Sequence, residues 1–284
     1  MYEVDQYTVS LLHFDDGLKD ECGVIWEPSN GATVTSSKKE FGASSLLLNG
    51  NKQFIQTNNN FNIGADDFTI DFWMLINDFN GSTTTDGQGI CSWVTTPNYI
   101  GTAIALNKKD KSIYLAGGNA PTFKSPKVLQ TNLMYHIAFV RHLGKCAIAI
   151  NGEFSDWSTL DSITSINNLV LGRFYTNYDD YYSNVCIDEF RISNIARWTS
   201  DFDPNPQVGK ALLVVTMSDQ IQKEYELSKA QIDDFITWYD NRSTGTGLPH
   251  YTFNKDFNLG PFQSRKDYLV FDKIQNFEVM EYAK

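Results

Sequence analysis

The sequence predicts a mainly β chain: a two-sheet antiparallel sandwich or barrel over residues 1–204, then a small α+β module over residues 205–284. Three observations carry this. About ten to a dozen short alternating or apolar segments follow one another with no helical period between them. The intervals are rich in Gly, Asn, Asp, Ser and Thr, the residues that turns demand. One stretch of helical spacing occurs, and it comes late, near residue 230.

The segments run in order. "TVSLLHF" alternates. "SSLLLNG" ends in Asn49-Gly50, a turn pair. "KQFIQT" follows, then "DFTIDFWMLI", the strongest strand, long and built of β-branched and aromatic residues. "GICSWV", "TAIALN", "SIYLAGG", "YHIAFVR", "KCAIAING", "NLVLGRF" and "VCIDEFRIS" complete the set. "RHLGKCAIAINGE" reads as a hairpin turning at Leu143-Gly144, with a further turn at Asn151-Gly152. In "VCIDEFRISNIARW", Ile187, Phe190 and Ile192 read as core, and Glu189, Arg191 and Ser193 as the wet face. Asp188 belongs to neither set.

Near residue 204 the character changes. "DFDPNPQVG" reads as a linker. "ALLVVTM" and "KEYEL" are strands. Ser228 and Gln231 form a capping-box pair at the start of "SKAQIDDFITWYDNR", where Ile232, Phe235, Ile236 and Tyr239 share a helical face. "STGTGLPH" ends the helix, and "YTFN", "DYLVF" and "KIQNFEVMEY" supply further strands.

Composition narrows the function. The net charge is −11, which argues against a nucleic-acid partner, because nothing would neutralise phosphates. It argues equally against docking on an anionic membrane, and no apolar run approaches the length of a membrane span. The start "MYEVDQYTVSLLHFDDG" has neither a basic n-region nor an apolar core, so no signal peptide is expected. Cys22, Cys91, Cys146 and Cys186 form no CxxC pair and are read as free thiols of a reducing compartment, with Cys146 and Cys186 buried.

"HFDDG", "FGASSLLLNG", "DDFTIDFWM", "YHIAFVR", "AIAINGE", "LVLGR" and "IDEFRISNIARW" occur in the order found in laminin-G-like, concanavalin A-like jelly rolls, and residues 5–204 resemble that family. The resemblance implies a two-sheet antiparallel jelly-roll sandwich. With its "ARWTSDFDPNPQ" ending, it also implies a protein of bacteriophage or prophage tails. The C-terminal segment resembles a module of such tail proteins in Gram-positive bacteria. A tail role implies assembly in the host cytoplasm, other tail proteins as partners, and often a homo-oligomer, commonly a trimer. It also implies action at the bacterial surface on a polysaccharide or other glycan. The rivals are a structural tail decoration protein and a carbohydrate-binding module of a secreted hydrolase.

The resemblance further implies a structural calcium ion, held by oxygens of Asp188, Asp15 or Asp16, and the backbone near Asn49 and Gly50. The alternative for Asp188 is to cap backbone N–H groups or to pair with Arg191 or Arg197. Because the family includes glucanases, catalysis has to be weighed. Retaining glycosidases need two carboxylates about 5 Å apart. In the strands where family glucanases carry them, only Asp71 is present, with no Glu two or four residues away. The expectation is a protein that is not an enzyme, with His13 and His136 in structural roles.

The stretch from Arg173 to Asn184, "RFYTNYDDYYSN", is the expected ligand loop. Tyr175, Tyr178, Tyr181 and Tyr182 offer rings for stacking on sugars, and Asn177 and Asp179 offer hydrogen bonds to hydroxyls. Packing of these tyrosines on the sandwich or at a subunit contact is the equal alternative. Trp93 and Tyr99, beside "TTPNY", are further candidates, together with the rim loop from Asp78 to Gly89. Trp157 is expected to cover the core or an edge.

Overall fold

In the computed structural model, which describes residues 1–64, 66–80, 86–94, 102–116, 124–125, 127–159, 165–174, 181–204, 211–227, 229–254 and 265–281, the alternating segments form strands. The first unit is Met1–Pro204. Its strands are β1 (Thr8–Leu12), β2 (Glu27–Ser29), β3 (Thr33–Thr35), β4 (Ser45–Asn49), β5 (Phe54–Gln56), β6 (Asn60–Gly64), β7 (Phe68–Asp78) and β8 (Gly87–Val94). These are followed by β9 (Ala103–Asn107), β10 (Ile113–Ala116), β11 (Met134–His142), β12 (Lys145–Ile150), β13 (Glu153–Phe154), β14 (Ser158–Thr159), β15 (Ser165–Leu171) and β16 (Asn184–Ser193). The turns at Leu143-Gly144 and Asn151-Gly152 have positive φ at both residues, as two-residue hairpins require.

Two antiparallel sheets form. Sheet 1 runs β13-β12-β11-β7-β16-β4-β3, with β1 also on β16 and β14 on β12. Sheet 2 runs β10-β9-β8-β15-β5-β2, with β6 on β15. Every second residue of the central strands enters one apolar core, including Ile70, Phe72, Met74 and Ile76 from β7, Ile137 and Phe139 from β11, and Leu169 and Leu171 from β15.

Strand β16 explains the residue that fitted neither face. Its first half pairs with β4 and its second half with β1, and the register shifts between Asp188 and Arg191. Glu189 has φ 51°, so a bulge inserts one extra residue and inverts the alternation. Val185 and Ile187 face the core before it; Phe190 and Ile192 face the core after it. The expected wet face is not wet. Glu189, Arg191 and Ser193 are all buried, because the chain start and residues 194–204 lie across this face of sheet 1. Trp198 stacks on Phe202 at 4.0 Å, and Arg197 donates two hydrogen bonds to the Asp5 carboxylate, at 3.0 and 2.9 Å. Trp157 stacks on Phe154 over the outer face of β12, an edge-covering role.

The second unit spans Asn205–Lys284. It contains β17 (Ala211–Met217), β18 (Gln222–Leu227), α1 (Lys229–Ser243), β19 (His250–Asn254), β20 (Lys266–Val270) and β21 (Ile274–Glu281). Strand β17 is central in the order β18-β17-β21, and β19 pairs with β20. Helix residues Ile232 and Phe235 are buried in a core with Leu213, Val215 and Phe253. The helix begins at Lys229 with Gln231 in its first turn; Ser228, the expected capping partner, lies outside the described residues. Among the described residues no helix is long and apolar enough to cross a membrane.

Candidate functional site

The two described ends of the β15–β16 connection bring Phe174 and Tyr181 onto the outer face of sheet 2. The cause is local. On β9, Ile104 and Leu106 point into the core, which leaves the small Ala103 and Ala105 on the outer side; Gly87 and Gly89 of β8 lie beside them. A Cβ on Gly89 would collide with the Arg173 carbonyl carbon and the Phe174 nitrogen, so glycine is what lets the connection cross β8 at contact distance. The crossing is pinned by backbone bonds: Gly89 N–H donates to Tyr181 O at 2.9 Å, and Ser183 N–H to Gly172 O at 3.0 Å. Ser92 Oγ donates to Arg173 O at 2.8 Å.

The result is an aromatic platform. Phe174 covers Ala103 and Ala105, and Tyr181 stacks on it at 4.8 Å with 17° between the rings. Tyr114 of β10 packs against the same group. Beside it, Phe54 of β5 stacks on Tyr182, and the Arg173 guanidinium lies 4.7 Å from the Phe54 ring centre. Tyr181, Tyr114 and Arg173 are half-buried, so rings and a cation reach the surface of a rigid sheet.

Of the expected ligand residues, Tyr181 is on this platform. Tyr182 is there too but is buried beneath it, with its hydroxyl accepting from Arg173 at 3.3 Å, so it supports the platform rather than facing solvent. Trp93 is a correction. It is fully buried in the inter-sheet core against Phe139, because the register shift between Gly89 and Cys91 turns its ring inward. Tyr175, Asn177, Tyr178, Asp179 and Tyr99 lie outside the described residues. Phe54, Arg173, Phe174 and Tyr114 were not anticipated. The legible signal was the pair Gly87 and Gly89 inside a strand, which marks close approach of another backbone.

The residues expected to hold calcium do not fit that ion as a set. Asp188 Oδ2 accepts the amides of Glu40 and Phe41 at 2.8 and 3.0 Å, and its Oδ1 accepts the Glu189 amide at 2.9 Å. Asp15 Oδ1 accepts the amides of Ala43 and Ser44. Asp16 is exposed. Asn49 pairs with Asn184, four residues along β16 from Asp188, and its Oδ1 accepts the Asn51 amide; Gly50 continues that turn. At about 3.4 Å per residue this places Asn49 and Gly50 roughly 14 Å or more from Asp188. Among the described residues no group of three or more His, Cys, Asp or Glu side chains is placed to hold a metal ion. Asp188 therefore caps backbone amides, Arg191 pairs elsewhere, and burial raises the Asp188 carboxyl to about 6.

The acid and base groups of sheet 1 form a closed network. Arg191 Nε and Nη2 donate to the two oxygens of Asp71 at 3.1 and 2.9 Å. His136 Nε2 lies 2.8 Å from the Tyr2 hydroxyl and 3.5 Å from Asp71 Oδ2. The Tyr2 ring lies 3.9 Å under the guanidinium of Arg191, while Glu189 accepts the Tyr2 amide and contacts His13 Nδ1 at 2.8 Å. Burial alone would raise the Asp71 carboxyl, but Arg191 and His136 hold it down at about 2, and burial lowers His136. Asp71 is thus a buried carboxylate locked by Arg191 and His136. Its neighbours two residues away are Thr69 and Trp73, and its partners across the sheet are Ala138 and Arg191, none of them a carboxylate.

Two packed antiparallel sheets with an aromatic platform on one outer face define a lectin-like jelly-roll domain. Residues 49–201 match the Concanavalin A-like lectin/glucanases superfamily, and the chain belongs to it. An uncharacterized protein of Clostridium acetobutylicum is 37% identical over 75 residues, which are 26% of this chain and 19% of that protein. The match thus covers about a fifth of that relative's length. Domain 4 of AbnA, an extracellular arabinanase from Geobacillus stearothermophilus solved with arabinotriose, superposes with TM-score 0.53 at 20% identity, over 67% of this chain and 93% of that domain. The binding domain of Paraclostridial Mosquitocidal Protein 1 gives 0.50 at 20% identity, over 67% of this chain and 49% of that one. A Trypanosoma rangeli sialidase complex gives 0.50 at 12%, over 68% and 31%. These likenesses are of fold.

Proposed function

We propose that the first unit is a non-catalytic glycan-recognition domain and that the platform of Tyr181, Tyr114, Phe54 and Arg173, backed by the buried Phe174, is its contact face. The observation that carries this is the laying of Phe174 and Tyr181, from the two ends of the β15–β16 connection, on sheet 2, which presents stacked rings on a rigid support. Rings stack on the apolar faces of sugars, and a preorganised face binds without ordering cost. The solved arabinanase domain, with its arabinotriose, supports a saccharide as ligand. The burial and single-carboxylate setting of Asp71 support a binding rather than a hydrolytic role.

The ligand we propose is a polysaccharide or other glycan of a bacterial cell surface, and the setting a phage or prophage tail assembled in the host cytoplasm. The support is the run of seven motifs in order with the "ARWTSDFDPNPQ" ending. In that setting the second unit joins the chain to other tail proteins, and the chain assembles as a trimer. A second reading, a carbohydrate-binding module of a secreted hydrolase, is favoured by the 93% cover of an arabinanase domain.

Binding of fluorescently labelled chain to Gram-positive cells tests the proposal. Saturable binding that purified wall polysaccharide competes away, with no release of reducing sugar, is the expected result. No binding across a broad panel of cells and polysaccharides would overturn it in favour of a structural decoration protein. Antibody against the chain that blocks phage adsorption would favour the tail setting over the hydrolase module.

A further inference from the structure

Away from the platform, β1, the segment after it and the β5–β6 connection enclose a groove of about 590 Å³. It is lined by Val9, Cys22, Val24, Ile25, Glu27 and the run Thr57–Asn59, with Gly23 at the bend. That volume is within the usual range of ligand sites.

One wall is held rigid by a buried carboxylate. Asp20 accepts hydrogen bonds from Ser10 Oγ at 2.5 Å, the Cys22 amide at 2.7 Å and Trp26 Nε1 at 3.2 Å, and Leu12 bridges to Asp20 through the backbone. The opposite wall is fixed by Thr57, whose amide donates to Leu169 O and whose hydroxyl accepts the Asn59 amide. On these walls the side chains of Glu27, Asn58 and Asn59 are exposed, and none makes a side-chain hydrogen bond to another described residue. Ile25, 78% exposed, forms an apolar lip.

The lining contains amides, one carboxylate and apolar surface, and no Lys or Arg. Amides and a carboxylate match sugar hydroxyls, which both donate and accept; an anion would meet the Glu27 charge with no compensating cation. The register links the groove to the platform. Glu27 pairs with Gln56 and Ser29 with Phe54, while Pro28 pairs with Ile55, which is in the core. Side chains of directly paired residues share a face. Glu27, Gln56 and Phe54 therefore form a row on the outer face of sheet 2 that leads from the groove to the Arg173 and Tyr182 side of the platform.

We propose that this groove is a second contact site for the glycan, which makes the ligand an extended, uncharged polysaccharide chain running from platform to groove. The inference rests on the glycan reading of the platform and adds the site, the chain length and the charge of the ligand.

Cys22 supplies the test. It is the exposed thiol in the groove, whereas Cys91, Cys146 and Cys186 are buried. Native full-length chain is treated with a maleimide in the presence of a neutral wall polysaccharide, or of a polyol-phosphate wall polymer from the same cells. Binding of each polymer is measured separately. The expected result is that the neutral polymer slows Cys22 labelling at least about fivefold and the polyanion does not, and that Asn58→Ala with Asn59→Ala weakens polymer binding about tenfold, the scale of one or two net hydrogen bonds. If the polymer binds and Tyr181→Ala abolishes binding, but Cys22 stays unprotected and the asparagine pair is silent, the groove inference falls while the platform reading stands. If no polymer binds, both fall. Protection by the polyanion alone overturns the assignment of charge.

Discussion

Replacing Asp71 with asparagine puts the closed network of sheet 1 to a direct test. The carboxylate is wholly buried and takes both forks of Arg191, itself buried under residues 1–7 and 194–204. The asparagine side chain would keep one acceptor oxygen, but it turns an NH₂ toward a guanidinium N–H and leaves a buried cation with no counter-charge, against the rings of Tyr2 at 3.9 Å and Trp198 at 5.9 Å. Removing one member of a buried ion pair costs about 3–5 kcal/mol. For a unit of this size each kcal/mol shifts the midpoint by about 2–4 °C, so a fall of roughly 6–20 °C is expected. Five of the six tryptophans (Trp26, Trp73, Trp93, Trp157 and Trp198) belong to the first unit, so tryptophan fluorescence in urea follows that unit. The double variant Asp71→Leu with Arg191→Met should recover much of the loss, because no charge is left unpaired. A loss below about 1 kcal/mol for Asp71→Asn, or a double variant that loses the sum of the singles, would refute the reasoning.

Other perturbations follow from the same geometry. The raised Asp188 carboxyl means that the folded chain holds this proton more tightly than the unfolded chain. Its stabilising contribution is complete below pH 3.8 and is lost as pH rises through about 6. Stability should therefore increase from pH 7 to pH 5 by about 1.3 kcal/mol from this group, out of about 3 kcal/mol over its whole titration, and Asp188→Asn should flatten the slope in urea titrations across that range. Trp93→Ala removes a fully buried ring and should cost about 3–5 kcal/mol in the same assay, whereas Tyr181→Ala should leave the midpoint within a few degrees and weaken glycan binding at least about tenfold. Gly89→Ala forces Arg173 and Phe174 off β8, so cell binding should fall while the far-ultraviolet spectrum of the sandwich persists. With Asp188 and Asp15 already engaged by amides, melting with saturating calcium and with chelator should coincide; a rise of several degrees with calcium would restore the ion.

The sandwich was legible because its signals are local. Period-two alternation and Asn-Gly or Leu-Gly turns do not depend on partners, and β7, β11 and β12 formed where the pattern placed them. The face of β16 was read as wet because alternation reports which residues share a side, and says nothing about what covers that side. The cover comes from Tyr2, Trp198 and Phe202, about 200 residues apart in sequence at the extremes. The bulge at Glu189 has no residue signature comparable to a glycine, so the shift in parity could be noticed at Asp188 but not explained. Trp93 was misplaced for the same reason: a register shift in β8 turned it inward. The tyrosines of the connection were visible as a cluster. That Tyr182 would be buried and Tyr181 carried at the surface depended on Phe54, Phe174 and two alanines from other strands.

The most direct test of the central claim is a calorimetric titration of the full chain with purified neutral polysaccharide from a Gram-positive wall, wild type beside Tyr181→Ala. The account predicts saturable binding for wild type and a loss of at least about tenfold in affinity for Tyr181→Ala at unchanged melting temperature. Equal affinity for the two proteins would contradict the platform as the contact face, and absence of heat or binding for wild type across the polysaccharide panel would contradict glycan recognition itself.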